Sequence, residues 1–255
     1  MTTCIRIVRS PSGRVRAELR AGELTPRLLD CGDAHVRVAL VATVALLLAG
    51  DDVVIDVEVG PGLHLELVET SGTVAYDMRG GRASWRVEAR VADDATLVWT
   101  GLPFVVSAGA TVTRRASLTL ADNARAVLHE TLVLGRTGEV GGDLWTSTDV
   151  RRPDGRPVLR EDLDLSRPHR QDAAMIGSAR CLDQVTLLGF RAELEGPDVL
   201  QLAEPGTIVR SLTDHLHESS LPALSGTVQG QVRSVTRWGG QPWLPCPASS
   251  PTSPR

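Results

Sequence analysis

The sequence runs to 255 residues, 42% hydrophobic and 23% charged, with a net charge of −4, a balance that fits neither wholesale disorder nor a membrane-embedded body. Every basic residue is an arginine, scattered among acids along the chain, so the electrostatic footprint of a nucleic-acid binder is missing. Aromatic residues make up only 3%, which leaves Val, Leu, Ala and Ile to build the core and favours strands.

At the N-terminus, Arg6 and Arg9 are followed by neither an apolar segment nor a small-residue cleavage site, so a secretory signal is not expected. The most apolar stretch, Val38 to Ala49, is too short to span a bilayer and reads as buried core. From Val53 the chain falls into short alternating runs. Val53, Ile55, Val57 and Val59 share a face; after Gly60-Pro61-Gly62 come Leu63, Leu65 and Leu67; then Ala83, Trp85, Val87, Ala89 and Val91 alternate with Ser84, Arg86, Glu88 and Arg90. Further runs at Val112–Leu120 and Ala124–Leu134 flank an Asp122-Asn123 turn, and Val158–Leu165 follows the turn Pro153-Asp154-Gly155. A helix would scatter these residues around its circumference. The pattern predicts a layered all-β body, as a sandwich, a barrel or a solenoid.

After Arg167 the period changes. Gln171–Leu182 and Ser211–Leu224 predict a few short α-helices in the C-terminal third, the second limited by Pro222. Residues 1–244 are expected to form one domain, and the Pro/Ser-rich stretch 245–255 a disordered tail. Cys4, Cys31, Cys181 and Cys246 show no metal or disulfide spacing, which points to reduced thiols and a cytoplasmic location.

Signals for chemistry are few. His215 and His217, beside Asp214 and Glu218, are the most metal-like cluster, although residues two apart on a helix do not face each other. Glu161, Asp162 and Asp164 could supply paired carboxylates for a hydrolase, but alternation separates Glu161 from the other two. Glu161 and Glu130 fall on apolar faces, where a carboxylate needs a partner or a purpose. Nucleophile motifs and Gly-rich phosphate loops are absent from the sequence. The residues alone leave a β-sandwich or barrel hydrolase and a generic β interaction domain open.

An ordered set of motifs narrows the choice. Leu47-Leu48-Ala49-Gly50-Asp51, Val57-Glu58-Val59-Gly60-Pro61-Gly62, Glu69 to Tyr76, Leu97-Val98-Trp99-Thr100-Gly101-Leu102-Pro103, Leu134-Gly135-Arg136-Thr137-Gly138-Glu139 and Gly206 to Leu212 occur in that order. Over about residues 40–220 the chain resembles the urease accessory proteins of the UreD (UreH) family. It departs from the family pattern at Ala49, where a Gly is usual, and in keeping a single Pro near Trp99. The resemblance implies a β-helix-like stack of strands and a non-enzymatic scaffold that, with UreF and the GTPase UreG, delivers nickel to apo-urease. Nickel would be in transit, with no tightly bound cofactor and neither nucleic acid nor membrane as a partner. Asp51, Glu66, Glu130, Glu139 and Glu161 are then the candidate oxygen ligands of a nickel path, because carboxylates release the ion more readily than thiolates.

Overall fold

The computed structural model describes residues 1–219 and Leu221. The chain opens with two hairpins, β1 (Thr2–Arg9) with β2 (Val15–Arg20) and β3 (Leu24–Cys31) with β4 (His35–Ala42). It then coils. β5 (Asp52–Val59) leads into β6 (His64–Glu69) and the short β7 (Thr73–Ala75); β8 (Ala83–Val91) leads into β9 (Thr96–Thr100) and the short β10 (Phe104–Val106); β11 (Thr111–Leu120) leads into β12 (Arg125–Leu134). A hairpin of β13 (Asp143–Arg151) and β14 (Pro157–Asp164) follows, and then β15 (Cys181–Leu188), β16 (Val199–Gln201) and β17 (Gly206–Thr213).

Two sheets result. The first has the order β14-β13-β11-β8-β5-β1-β2 and the second β16-β17-β15-β12-β9-β6-β4-β3. Neighbours among β1, β5, β8, β11 and β13 are parallel, as are neighbours among β4, β6, β9 and β12; antiparallel strands close both sheets at both ends. The fold is thus an all-β stack of solenoid-like coils. Antiparallel ends interrupt the repeat and stop it from templating another coil.

The apolar alternation explains which face points inward. Val53, Ile55, Val57 and Val59 are fully buried, as are Leu63, Leu65 and Leu67, and the inward set of β8 is at most 6% exposed. Register places these rows over one another: Leu65 lies beside Leu97, and Ile55 beside Val87. The turns between β5 and β6, β8 and β9, and β11 and β12 carry the chain from the first sheet to the second. Asp122-Asn123 is therefore a turn between sheets, not the tip of a hairpin, because β11 and β12 find their partners in different sheets. These arches stack through backbone bonds, Ala92 N–H to Val59 O and Ala121 N–H to Val91 O, each 3.0 Å.

Three segments differ from their expected form. Gln171–Leu182 is a run of turns passing into β15, which Gly177 at φ 58° and the pull of sheet pairing favour over a helix. Ser211–Thr213 completes β17, and Leu216–Glu218 forms one 3-10 turn. Of Val38–Ala49, only the first part is a strand; Val44 and Leu48 stand 61% and 44% exposed on the loop to β5. Pro222–Leu224, Cys246, the limit at 244 and the tail 245–255 lie outside the described residues.

Leu97 is fully buried between neighbouring rows, so Leu97→Ala should cost about 3 kcal/mol through lost contact and a residual cavity. Arg16→Ala, on the exposed face of β2 with its side chain 70% accessible, should change stability by less than about 0.5 kcal/mol. Urea unfolding midpoints compare the two.

Candidate functional site

The interior between the sheets is apolar toward the first coils and polar toward the last. On β11 the inward row Val112, Arg114, Ala116, Leu118 places one guanidinium among small and aliphatic side chains. Arg114 reaches across the gap to Glu130 on β12, and its guanidinium carbon lies 5.6 Å from the centre of the Phe104 ring. Phe104 in turn meets Trp85 edge-on at 5.8 Å. One level along, the polarity is reversed: Glu161 on β14 belongs to the first sheet and Arg210 on β17 to the second, and they are bonded across the gap. Arg210 also donates to the Gln184 side chain. All four charged side chains are between 17% and 22% exposed, so both pairs are largely withdrawn from water and need each other.

A third carboxylate completes the row. Glu69, at the end of β6, accepts from the Trp99 indole N–H at 3.2 Å and from the Leu102 backbone N–H at 3.0 Å. Burial pushes its pKa up, and those two N–H donors only partly offset the rise. A cavity of about 50 Å³ is lined by Glu69, Arg114, Glu130 and Thr148, and a smaller one of about 10 Å³ by Glu130, Thr148, Glu161 and Gln184. Glu130 and Thr148 belong to both. The smaller space is the size of a single water, with enough polar partners to hold one.

The outer face of the second sheet carries separate polar groups. The Glu66 side chain is 1% exposed and paired with Arg37 at 2.8 Å; burial raises its pKa against the attraction of that guanidinium. Asp183 is bonded to His129 at 3.0 Å, Thr131 at 2.8 Å and Ser219 at 2.7 Å. Burial pushes Asp183 up, but these bonds outweigh it and hold the carboxyl below its ordinary value.

Of the sequence candidates, the structure therefore brings Glu130 and Glu161 together and keeps the others apart. Asp51 accepts from the Leu48 N–H within a turn, and Glu139 is bonded to Arg136 on the loop after β12. His215 and His217 are exposed, their rings stacked at 5.4 Å because His215 precedes the 3-10 turn instead of lying on a helix. Asp162 is paired with Arg160, and Asp164 with His169. Among the described residues, no group of three or more His, Cys, Asp or Glu side chains is placed to hold a metal. Sequence reasoning missed Glu69, Arg114 and Arg210. Arg114 and Arg210, each a charge on an otherwise apolar alternating row, left a signal in the sequence that could have been read.

The protein-family description "UreD urease accessory protein" matches residues 26–240. "Urease accessory protein UreD 1" of Streptomyces griseus is 48% identical over 215 residues, covering 82% of this chain and 84% of the relative. "Urease accessory protein UreD" of Parafrankia is 32% identical over 84% of both chains, and "Urease accessory protein UreD 2" of Saccharopolyspora erythraea is 30% identical over 80% and 85%. No helix among the described residues is long and apolar enough to cross a membrane.

Two outcomes follow from the interior geometry. Arg114→Leu strands Glu130 and should cost about 3 kcal/mol, while adding Glu130→Leu should recover most of the loss; a double-mutant cycle by urea unfolding checks this. The Glu69 carboxyl binds its proton more tightly folded than unfolded. It therefore weakens the fold above its raised pKa, and that penalty disappears as pH falls through the raised value toward 4.5. The stability of Glu69→Gln relative to wild type should thus decline on going from neutral pH into that window.

Proposed function

Because the chain belongs to the UreD urease accessory protein family, we propose that it acts without catalysis, as a scaffold that works with UreF and the GTPase UreG to deliver nickel to apo-urease. The ion is cargo, passing between the two sheets along Glu69, Glu130 and Glu161. The observation that carries this reading is the adjacency of two small cavities, which share Glu130 and Thr148 and are both lined by carboxylates.

Oxygen ligands suit a cargo that must be let go, since they hold a borderline cation less firmly than thiolates do. Each of the two central carboxylates is ion-paired with an arginine from the facing sheet. A divalent cation reaching Glu130 would replace the guanidinium of Arg114 as counter-charge, and the same exchange would follow at Glu161 with Arg210. Each carboxylate would offset one of the ion's two charges in turn, which lowers the cost of moving it through a poorly hydrated space. The remaining candidates, Asp51, Glu66, Glu139, His215 and His217, would contribute at most outside this seam. We place the protein in the cytoplasm with its partners.

The test is co-expression with the urease genes. Deleting this gene should leave apo-urease without activity; undiminished activity would refute the reading. The variant Glu130→Gln with Glu161→Gln should still capture UreF but yield urease with less nickel per subunit, measured by atomic absorption. Full nickel loading by that variant would refute the route and leave the scaffold role standing.

A further inference from the structure

The loop between β12 and β13 is held far more firmly than its exposed position requires. Arg180 donates from one nitrogen to the carbonyls of Gly135, Arg136 and Glu139, at 3.3, 2.8 and 2.8 Å. Arg170 donates to the carbonyls of Gly142 and Gly141, at 2.9 and 3.2 Å. Inside the loop, the Glu139 side chain is bonded to the Arg136 guanidinium and lies 3.3 and 3.4 Å from the backbone N–H groups of Arg136 and Ala108. What this frame presents is Val140, 70% exposed. A rigid loop with an apolar tip forgoes burial that a mobile one could find, and the ordering cost of docking has been met in advance.

Beside Val140 lies a pocket of about 260 Å³ bounded by Glu139, Arg170, Gln171, Ser178 and Arg180. The neighbouring arginines are matched, Arg136 by Glu139 and Arg167 by Asp143. Arg170 and Arg180 are not: among the described residues neither makes an ion pair, and their other guanidinium N–H groups make no hydrogen bond to any described residue. Arg170 is 8% exposed, and burial together with the nearby Arg167 and Arg180 charges lowers its pKa despite Asp143. Arg152 offers the contrast. It too donates to consecutive backbone carbonyls, those of Leu120, Ala121 and Asp122, yet it has Glu204 at 3.7 Å. The one carboxylate that lines the pocket, Glu139, is already bonded to Arg136, which leaves the two guanidiniums as a fork for an oxoanion.

We propose that the Arg170/Arg180 pocket receives the carboxylate of an acidic side chain from a protein partner, which at the same time covers Val140. The adjoining apolar tip is what favours a protein over a free anion. A small oxoanion would use the guanidiniums and gain nothing from Val140, whereas arginine beside an exposed apolar anchor is the composition of an interface centre. In identifying the partner as one of the urease-assembly proteins, the proposal rests on the function proposed above.

The experiment uses the tagged full chain co-expressed with UreF, UreG and the urease subunits. Wild type should capture at least one of them, and citrate, as a competing carboxylate, should release it more than sodium chloride of equal ionic strength. Val140→Asp removes no internal bond and places a like charge against the acid, so it should weaken capture about tenfold or more. Arg170→Gln should weaken it with the fold intact by circular dichroism; if that variant fails to fold, Val140→Asp and the citrate comparison still decide. Undiminished capture by Val140→Asp overturns the proposal while leaving the scaffold role in place. Capture of none of the partners by wild type overturns both. Binding of phosphate or citrate to the isolated chain that Arg170→Gln abolishes, with partner capture unchanged, also overturns it and marks a site for free oxoanions.

Discussion

A stack of coils satisfies its turns from below: the backbone N–H of each arch bonds to a carbonyl of the arch before it, as Ala92 does to Val59 and Ala121 to Val91. The last coil therefore ends in carbonyls with no coil above them, and a buried carbonyl without a donor is costly. Arginine supplies the missing donors. Arg152 serves the carbonyls of the β11–β12 turn, while Arg180 and Arg170 serve the loop on the opposite flank. Sheet edges raise the same problem and find a different answer in the antiparallel hairpins at each end. Backbone satisfaction thus sets where the stack stops and which side chains gather at its flanks.

The interior obeys a second form of the same rule. Apolar rows can continue indefinitely between two sheets, but a charge can enter only with a partner. Arg114 with Glu130 and Glu161 with Arg210 meet this condition in opposite orientations across the gap. Sliding one sheet against the other would break both pairs, so the polar seam also fixes how the sheets face each other. Replacing such pairs with aliphatic residues is often neutral or stabilising in proteins generally, so stability gives no strong reason for their presence. Glu69, held by two N–H donors with its pKa raised by burial, is a similar case.

The strands were legible because period-two alternation follows directly from one buried face. The rows from Val53 to Val59 and from Ala83 to Val91 are inward in the structure as the pattern implies. Sheet membership was not legible, since a turn such as Asp122-Asn123 reads alike whether it closes a hairpin or crosses between sheets; only β11 pairing with β8 and β13, and β12 with β9 and β15, distinguishes them. Gln171–Leu182 shows the opposite failure. Its alanines suggested a helix, but the part that becomes β15 answers to pairing with β12, a partner far away in sequence. The seam was half visible for the same reason: Glu130 and Glu161 broke apolar rows, whereas their arginines lie on other strands, and Glu69 looked like a strand end.

Composition takes on a meaning in this setting that it lacks in the sequence alone. A chain without lysine reads first as a bias of its genome. Arg180 nevertheless reaches three carbonyls from a single nitrogen, and Arg152 reaches three in a row while nearly excluded from water. An ammonium could satisfy some of these acceptors, but it is more strongly hydrated and would give up more on burial. A planar, weakly hydrated guanidinium can stay inside, bind backbone on one side and keep donors free on the other. The residue that closes the stack is for that reason the one able to recruit from outside, and at Arg170 and Arg180 the two roles fall to the same side chains.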